Sequence, residues 1–577
     1  MRSKSIHAGL AVALGLVFIA HVSVFGFRSL VAERRIRSDA MNYIEVARNL
    51  SAGEGVVQSA VGFNQPTFWT SDFSTDFPHK TRSSHNVGYP ILIAAVAEVT
   101  RLEHADAALL LSVASYLATL AFAFLFASRV WGVGAGLMAA AVVALLMRWF
   151  FLRVWAGTVA VALLLAMLAV LAGGVTPRRS AAAGLLAGLA VTVRSGVAPI
   201  LVLGGLASLL GRENRLLQSA LFCAGAGFGL AGLFAGAGQV YPPHLTSDAS
   251  WFTAASPGAL VSSFLQQMRE EIAALLVLGG LAWWRARREG VPLIPREARL
   301  GCLLAAAWIA GFSTFLVAAR LVVLTDMWNP FDDRLMAPVL VVLSVCYGGL
   351  FWRALGSRWR PAAAVTLFAL SMIWCTGADA RVLAEGPYRS DMWRISRSPL
   401  LLWVGSHVDS RDFVVGTDVT EVPYFFRHAP VTVSLTYYPY FQRVSGSRID
   451  ALFRARCGRF DDMYLLLRKT GRDYGGFVRG LLAGRPGDPG SPRESFRRVA
   501  DLTDGIVFRF VSCDSNLSEA VWPSASSRAG GESAPHRVAA RIAEAPRASD
   551  IDVVNTHCRS PRRILTAGSA GGTLRAR

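Results

Sequence analysis

"AAAGLLAGLAVTVRSGVAPILVLGGLASLL", residues 181–210, is apolar from end to end except at Arg194, with Pro199 shortly after it. At ~1.5 Å rise per residue, 181–193 covers only about 20 Å, short of the ~30 Å hydrocarbon core of a bilayer. The segment therefore reads as two short helices that go up and return, with Arg194 at their turn. A charge at membrane depth is costly and usually faces a cavity or a partner, which makes Arg194 a candidate site residue. An arginine snorkelling to the interface is the other reading.

The rest of the chain has the same character. Of its 577 residues 53% are hydrophobic and 17% charged, whereas soluble domains carry about 25% charged residues. Apolar runs at 6–27, 107–127, 132–148, 156–174, 216–238, 271–286, 299–318, 335–353 and 361–377 are further candidate spans. Residues 6–27 read as an uncleaved anchor, since no small-x-small cleavage site follows cleanly. The expected fold is an α-helical polytopic membrane protein with about 11 membrane helices, two of them short.

Sidedness follows from the arginines between the runs. Loops assigned to the inside contain Arg129, Arg178 and Arg179, Arg212 and Arg215, Arg285, Arg287 and Arg288, then Arg353, Arg358 and Arg360. This alternation obeys the positive-inside rule. It explains the net charge of +19 by topology, so nucleic acid is not an expected partner. It leaves 28–106 outside as a large first extracytoplasmic loop, along with everything after about residue 378. The expected organisation is a membrane domain over 1–377 (including the 28–106 loop), a small extracytoplasmic α/β domain over 378–512, and a disordered tail over 513–577. The seven cysteines form no CxxC pair, which argues against a zinc or thioredoxin-type site. Cys223, Cys302 and Cys346 fall in apolar runs. Cys457 and Cys513 flank the extracytoplasmic segment as a candidate bridge.

The outer loop opens with "RRIRSDAMNYIEVARNL", residues 34–50. Ser38 is placed to cap a helix, putting Asp39 in its first turn. Tyr43, Val46, Ala47 and Leu50 follow at helical spacing and share a face with Asp39. Laid on the membrane with that face down, the helix would hold the carboxylate at the bilayer boundary. Its amino end favours the ionised form, which can accept a proton from a hydroxyl or can simply complement the helix dipole. Glu45 falls on the opposite face, expected solvated, and Glu54 in "SAGEGVV" reads as a turn residue. Asp72 and Asp76 in "SDFSTDF" are a thin oxygen set for a possible divalent cation. "GFGLAG" (227–232) has the spacing of a dinucleotide fingerprint but lies inside an apolar helix, so it reads as small-residue helix packing.

The order of these pieces resembles a family. A first span is followed by "SDAMNYIEVARNLSAGEGV", then "HNVGYPILIA" and an "ASRVWG" helix end; farther on come "GLLAGLAVTVRSGVAPI" and "FDDRLMAPVL" (331–340). Over roughly residues 1–380 the chain resembles the GT-C superfamily of polytopic glycosyltransferases, near the protein O-mannosyltransferases and the bacterial aminoarabinose-type lipid transferases. The resemblance implies a polyprenyl-phosphate-linked sugar donor and transfer on the extracytoplasmic face of the bacterial inner membrane. It also implies that Asp39, at the matching position, is the catalytic base. Displacing a polyprenyl phosphate also needs cations on the leaving phosphate, which arginine supplies bidentately. Arg194 and Arg334 are the candidates, with Arg148 and Arg153 beside the outer end of the third span. Asp332 and Asp333 are placed to pair with Arg334. Tyr43, His85 and Tyr89 are candidate substrate-binding residues; a structural hydrogen-bonding role for His85 stays open. The expected partners are that donor, membrane lipids, and a lipid, glycan or protein acceptor. Two other classes compete: a transporter or flippase with Arg194 and Arg334 along its path, and a non-catalytic scaffold presenting the 378–512 domain.

Overall fold

The protein was analysed as a computed structural model. It describes residues 36, 39–58, 60–62, 81–82, 86–151, 153–211, 214–237, 257–322, 331, 333–360, most of 362–374, 397–416, 422, 431–434, 450, 453–454, 456–469, 495–511 and 513. The expected spans at 6–27 and the tail beyond 513 lie outside these residues, and that at 361–377 is described only in part, as helix.

In chain order the elements are α1 (Asp39–Ser51), β1 (Val57–Gln58), β2 (Ala60–Gly62), β3 (Thr81–Arg82), α2 (Gly88–Thr100), α3 (His104–Trp131), α4 (Val133–Phe151), α5 (Ala156–Ala172), α6 (Pro177–Val193) and α7 (Pro199–Leu209). They continue with α8 (Arg215–Ala237), α9 (Pro257–Arg288), α10 (Arg299–Val322), α11 (Asp333–Ala354), α12 (Pro399–His407), β4 (Phe413–Gly416), β5 (Val431–Ser434), β6 (Met463–Arg468), β7 (Phe496–Asp501) and β8 (Gly505–Phe510). Among the described residues, three helical stretches are long and apolar enough to cross a membrane by length and composition: His104–Trp131, Arg299–Ala319 and Arg334–Ala354. Shorter apolar helices pack around them. Val202, Leu206, Phe228, Leu276 and Leu303 are exposed on these helices, an apolar outer surface that suits lipid and not water.

The helices alternate in direction, so the bundle has two distinct ends. At one, an Arg129 guanidinium Nη1 donates to the Ala169 carbonyl, and Arg179 donates to Gly173 and, at 3.3 Å, to Gly174. Arg285 Nη2 pairs with Glu289 at 2.5 Å, and Arg360 Nε donates to the carbonyls of Trp352 and Leu355 at 3.1 and 3.2 Å. Arg287 and Arg288 lie over the rings of Trp283 and Trp284, each at 5.5 Å, the aromatic-and-arginine dressing of a membrane interface. Val130, at the end of α3, packs against Gly301 at the start of α10, and Trp352 near the end of α11 fills the space beside Gly134. All the loops assigned to one side by their arginines, where described, therefore do meet at one end. The starts of α3, α5, α9 and α11 lie at the other.

The break at Arg194 is where the sequence puts it. Thr176 caps α6 and Pro177 occupies its first turn; the helix ends after Val193 with Arg194 in extended backbone (φ −150°, ψ 106°). One 3-10 turn leads into α7, which runs back. α6 lies parallel to α8 in backbone contact. A Cβ at Gly184 or Gly188 would strike the carbonyls of Phe222 or Ala226, and one at Gly229 would sit 2.7 Å from the Leu185 carbonyl oxygen. Two small-xxx-small pairs, Gly184/Gly188 and Gly225/Gly229, thus face each other, and Thr192 Oγ1 donates to the Gly229 carbonyl at 2.8 Å. "GFGLAG" lies in α8 and serves this close packing.

The C-terminal elements form a six-stranded mixed sheet in the order β2-β5-β4-β6-β8-β7. β2, β5, β4 and β6 are parallel; β6, β8 and β7 are antiparallel. One face packs Phe413, Phe453, Phe496 and Phe510 ring on ring. The other face packs Val414, Leu466 and Val507 against Leu400 and Val404 of α12. Ser398 and Asp504 hold the start of that helix, accepting from Leu401 N at 3.3 Å and Leu400 N at 3.1 Å. Cys457 and Cys513 are bridged. One strand comes from elsewhere in the chain: Ala60–Gly62 of the first outer loop pairs with Thr432–Ser434 at the sheet edge.

Candidate active site

Asp39 occupies the first turn of α1, and its Oδ2 lies 3.4 Å from Nη1 of Arg334, with 43% and 44% of the two side chains exposed. These residues are 295 positions apart in sequence. Arg334 stands in the first turn of α11, and its guanidinium carbon is 5.3 Å from the centre of the Trp155 ring. Arg153 lies over the same ring at 5.1 Å. Trp155 precedes α5, where its carbonyl accepts from Thr158 Oγ1 at 2.7 Å, and its indole meets the Phe150 ring at 5.8 Å. Two residues on, Gly157 faces Arg194: a Cβ there would lie 2.6 Å from Arg194 Nη1.

Tyr43, one turn along α1 from Asp39, ties the group together. Burial of its phenol holds it above the ordinary range; Asp39 pushes the same way, and Arg194 and Arg334 oppose. The structure thus gathers Asp39, Tyr43, Arg153, Arg194 and Arg334 at the end of the bundle away from the arginine-rich loops. Tyr89 meets Tyr43 edge to face, centroids 5.2 Å apart, and is fully buried. Arg148 is buried on α4, near its end. His85, Ser38, Asp72, Asp76 and Asp332 lie outside the described residues, as does the side chain of Asp333. Glu54 is exposed just past α1. Among the described residues no three His, Cys, Asp or Glu side chains come together to hold a metal ion.

One expectation needs correction. α1 buries more than one face: Ala40, Met41, Ile44 and Ala47 lie in the protein core, packed with α2 and α3, and Val46 is buried as well. Glu45 is only 4% exposed, not solvated. Periodicity reports which residues are apolar; here the outer loop closes over the polar side as well. The Asn49 amide, on that side, donates to the Val57 carbonyl of β1 at 2.7 Å.

The far end of α1 is clamped to α3. Arg48 donates from Nε (3.1 Å) and Nη2 (2.5 Å) to Glu103 Oε1, whose Oε2 accepts from Ala105 N at 2.7 Å and so caps α3. Ser51 Oγ and His104 Nε2 are hydrogen-bonded at 2.8 Å. Burial works to raise the Glu103 carboxyl, but the hydrogen bond and charge of Arg48 together hold it below the usual range. Trp155, Gly157 and this clamp were not singled out in the sequence; "RVWAG" matches no motif, and an Arg–Glu pair across 55 positions leaves no local pattern.

No protein-family model matches the chain, and no curated protein matches it in sequence. Solved structures do match. ArnT from Cupriavidus metallidurans bound to undecaprenyl phosphate aligns with TM-score 0.52 and 13% identity over 86% of this chain and 98% of that one. The same protein in its apo state aligns with TM-score 0.53 and 14% identity over 87% and 98%. An oligosaccharyltransferase from Archaeoglobus fulgidus aligns with TM-score 0.47 and 11% identity over 85% and 72%. The chain thus shares its fold with the two ArnT structures over most of both lengths.

Proposed function

We propose that the protein is a membrane glycosyltransferase that moves a sugar from a polyprenyl-phosphate donor to a hydroxyl of a lipid, glycan or protein acceptor. The observation that carries this reading is the convergence of one carboxylate and three guanidiniums at one end of the bundle, on a fold shared with a protein bound to undecaprenyl phosphate. Asp39 is the base: its carboxylate takes the acceptor proton as the hydroxyl oxygen attacks the anomeric carbon, a role worth ~10²–10⁴-fold in rate. Arg153, Arg194 and Arg334 neutralise the phosphate oxygen as it leaves with the bonding pair, and Arg148 lies within the same α4 that leads to them. Tyr43 and Tyr89, ring against ring, form the acceptor and donor side.

Helix geometry supports anion binding. Arg153 and Arg334 lie at the amino ends of α5 and α11, where the helix dipole already favours negative charge. Cations there oppose the dipole, a local conflict that fits a site awaiting an anion.

The site end is read as extracytoplasmic, on a bacterial inner membrane. The arginine-rich opposite end belongs inside by the positive-inside rule, and the Cys457–Cys513 bridge fits an oxidising compartment.

The test is lipid and glycan profiling of cells with and without the gene, complemented by wild type or by Asp39→Asn. A sugar modification lost on deletion and restored by wild type alone is the expected result. An unchanged profile on deletion, or full restoration by Asp39→Asn, would overturn the assignment.

A further inference from the structure

The five residues "RVWAG", 153–157, run from the α4–α5 connection into the first turn of α5 and touch all three guanidiniums of the proposed site. Arg153 supplies one itself. The Trp155 ring lies 5.1 Å from the guanidinium carbon of Arg153 and 5.3 Å from that of Arg334. Gly157 leaves the space that Nη1 of Arg194 fills. These arginines come from three separate parts of the chain and carry like charges, so bringing them together costs energy, part of which Asp39 offsets beside Arg334. An indole face offsets part of that cost, because the electron-rich face of a tryptophan ring attracts a cation placed over it. The ring is itself held, by the edge of Phe150 at 5.8 Å and by the Thr158 Oγ1 bond to its carbonyl.

We propose that Trp155 and Gly157 are positioning residues: the Trp155 ring seats Arg153 and Arg334, and the missing side chain of Gly157 seats Arg194, so that three guanidiniums meet one phosphate. The proposal rests on the donor reading above. It assigns neither residue a contact with the reacting atoms.

Three substitutions separate seating from packing. At Gly157→Ala the new methyl would meet Arg194 Nη1 at 2.6 Å and Phe150 Cζ at 3.2 Å. The closer atom is the end of a flexible side chain, so the guanidinium moves while the helix stays. Trp155→Leu keeps an apolar side chain without a π face; Trp155→Phe keeps a weaker face.

The experiment measures binding of undecaprenyl phosphate to the full-length protein in nanodiscs, with thermal midpoints recorded alongside. Loss of one well-placed charged contact corresponds to about a tenfold change. Gly157→Ala and Trp155→Leu are each expected to weaken binding about tenfold, and Trp155→Phe about threefold, on the scale of a cation–π contact. Donor KM in the transfer assay should rise in parallel, with acceptor KM unchanged. Wild-type affinity in Gly157→Ala and Trp155→Leu, with wild type binding, would overturn the inference alone. So would equal losses in Trp155→Phe and Trp155→Leu, since packing volume would then explain them. Absence of binding by wild type would overturn the donor reading and this inference together. Should Trp155→Leu fail to fold, Gly157→Ala decides the Arg194 half and Trp155→Phe the other.

Discussion

The two ends of the helical bundle use the same residue for opposite purposes. At one end, arginines close helix carboxyl termini: Arg129 and Arg179 donate to terminal carbonyls, and Arg360 to those of Trp352 and Leu355. There they complement the dipole and satisfy carbonyls that have no partner within the helix. At the other end, Arg153 and Arg334 stand at helix amino termini around an indole and a carboxylate. The first set is placed where folding wants it, and the second where folding does not. Charge placed against the local field marks a site more sharply than charge alone, and only the helix directions reveal the difference.

The comparison can be broken by substitution. The largest effect is expected from Asp39→Asn, which should cut transfer by about 10²-fold or more while membrane insertion and thermal midpoint stay at wild-type values. Retained transfer would place the base elsewhere. Next, Cys457→Ser should lower the stability of the sheet region by roughly 2–4 kcal/mol, as loss of a bridge closing a long loop does. Urea unfolding followed in the isolated full-length protein checks it, and reductant should reproduce the effect in wild type only. A matched pair then tests the two ends directly. Arg334→Ala should weaken undecaprenyl phosphate binding about tenfold at unchanged thermal midpoint, and Arg129→Ala should do the reverse, lowering the midpoint with affinity intact. If the two behave alike, the distinction between the ends fails. Sidedness is checked by an impermeant thiol reagent: a cysteine replacing Glu98 should react in intact spheroplasts, and one replacing Arg288 only after permeabilisation.

The smallest effect is expected at the Arg48–Glu103 clamp. The Glu103 carboxyl lies below its usual range when folded, so its contribution is present above the unfolded value and is lost as pH falls through the folded one. Acidification should therefore loosen the amino end of α3 and the carboxyl end of α1 in wild type. Glu103→Gln should flatten that part of the stability–pH curve, read by hydrogen exchange of α1 amides. An unchanged slope would remove the clamp from consideration.

Much of this was legible beforehand. The apolar helices, the break at Arg194 and the gathering of the arginine-bearing loops at one end follow from hydropathy and charge, which are local quantities. Asp39 and Arg334 entered through chemistry and resemblance, since nothing local connects residues so far apart. The burial of Glu45 was not legible: a helix covered on its polar side looks the same in sequence as one facing water. Trp155 and Gly157 escaped for a similar reason, because their importance lies in which distant side chains arrive beside them. β2 is too short for any alternation pattern, and its partner Val431–Ser434 lies some 370 positions downstream by sequence number.

That strand also bears on protein engineering. Because Ala60–Gly62 runs beside Val431–Ser434 at the sheet edge, the terminal region and the first loop cannot be exchanged separately with those of a protein of the same fold. A chimera joined near residue 378 would leave β5 beside a foreign loop, whereas one that transplants both segments keeps the seam intact.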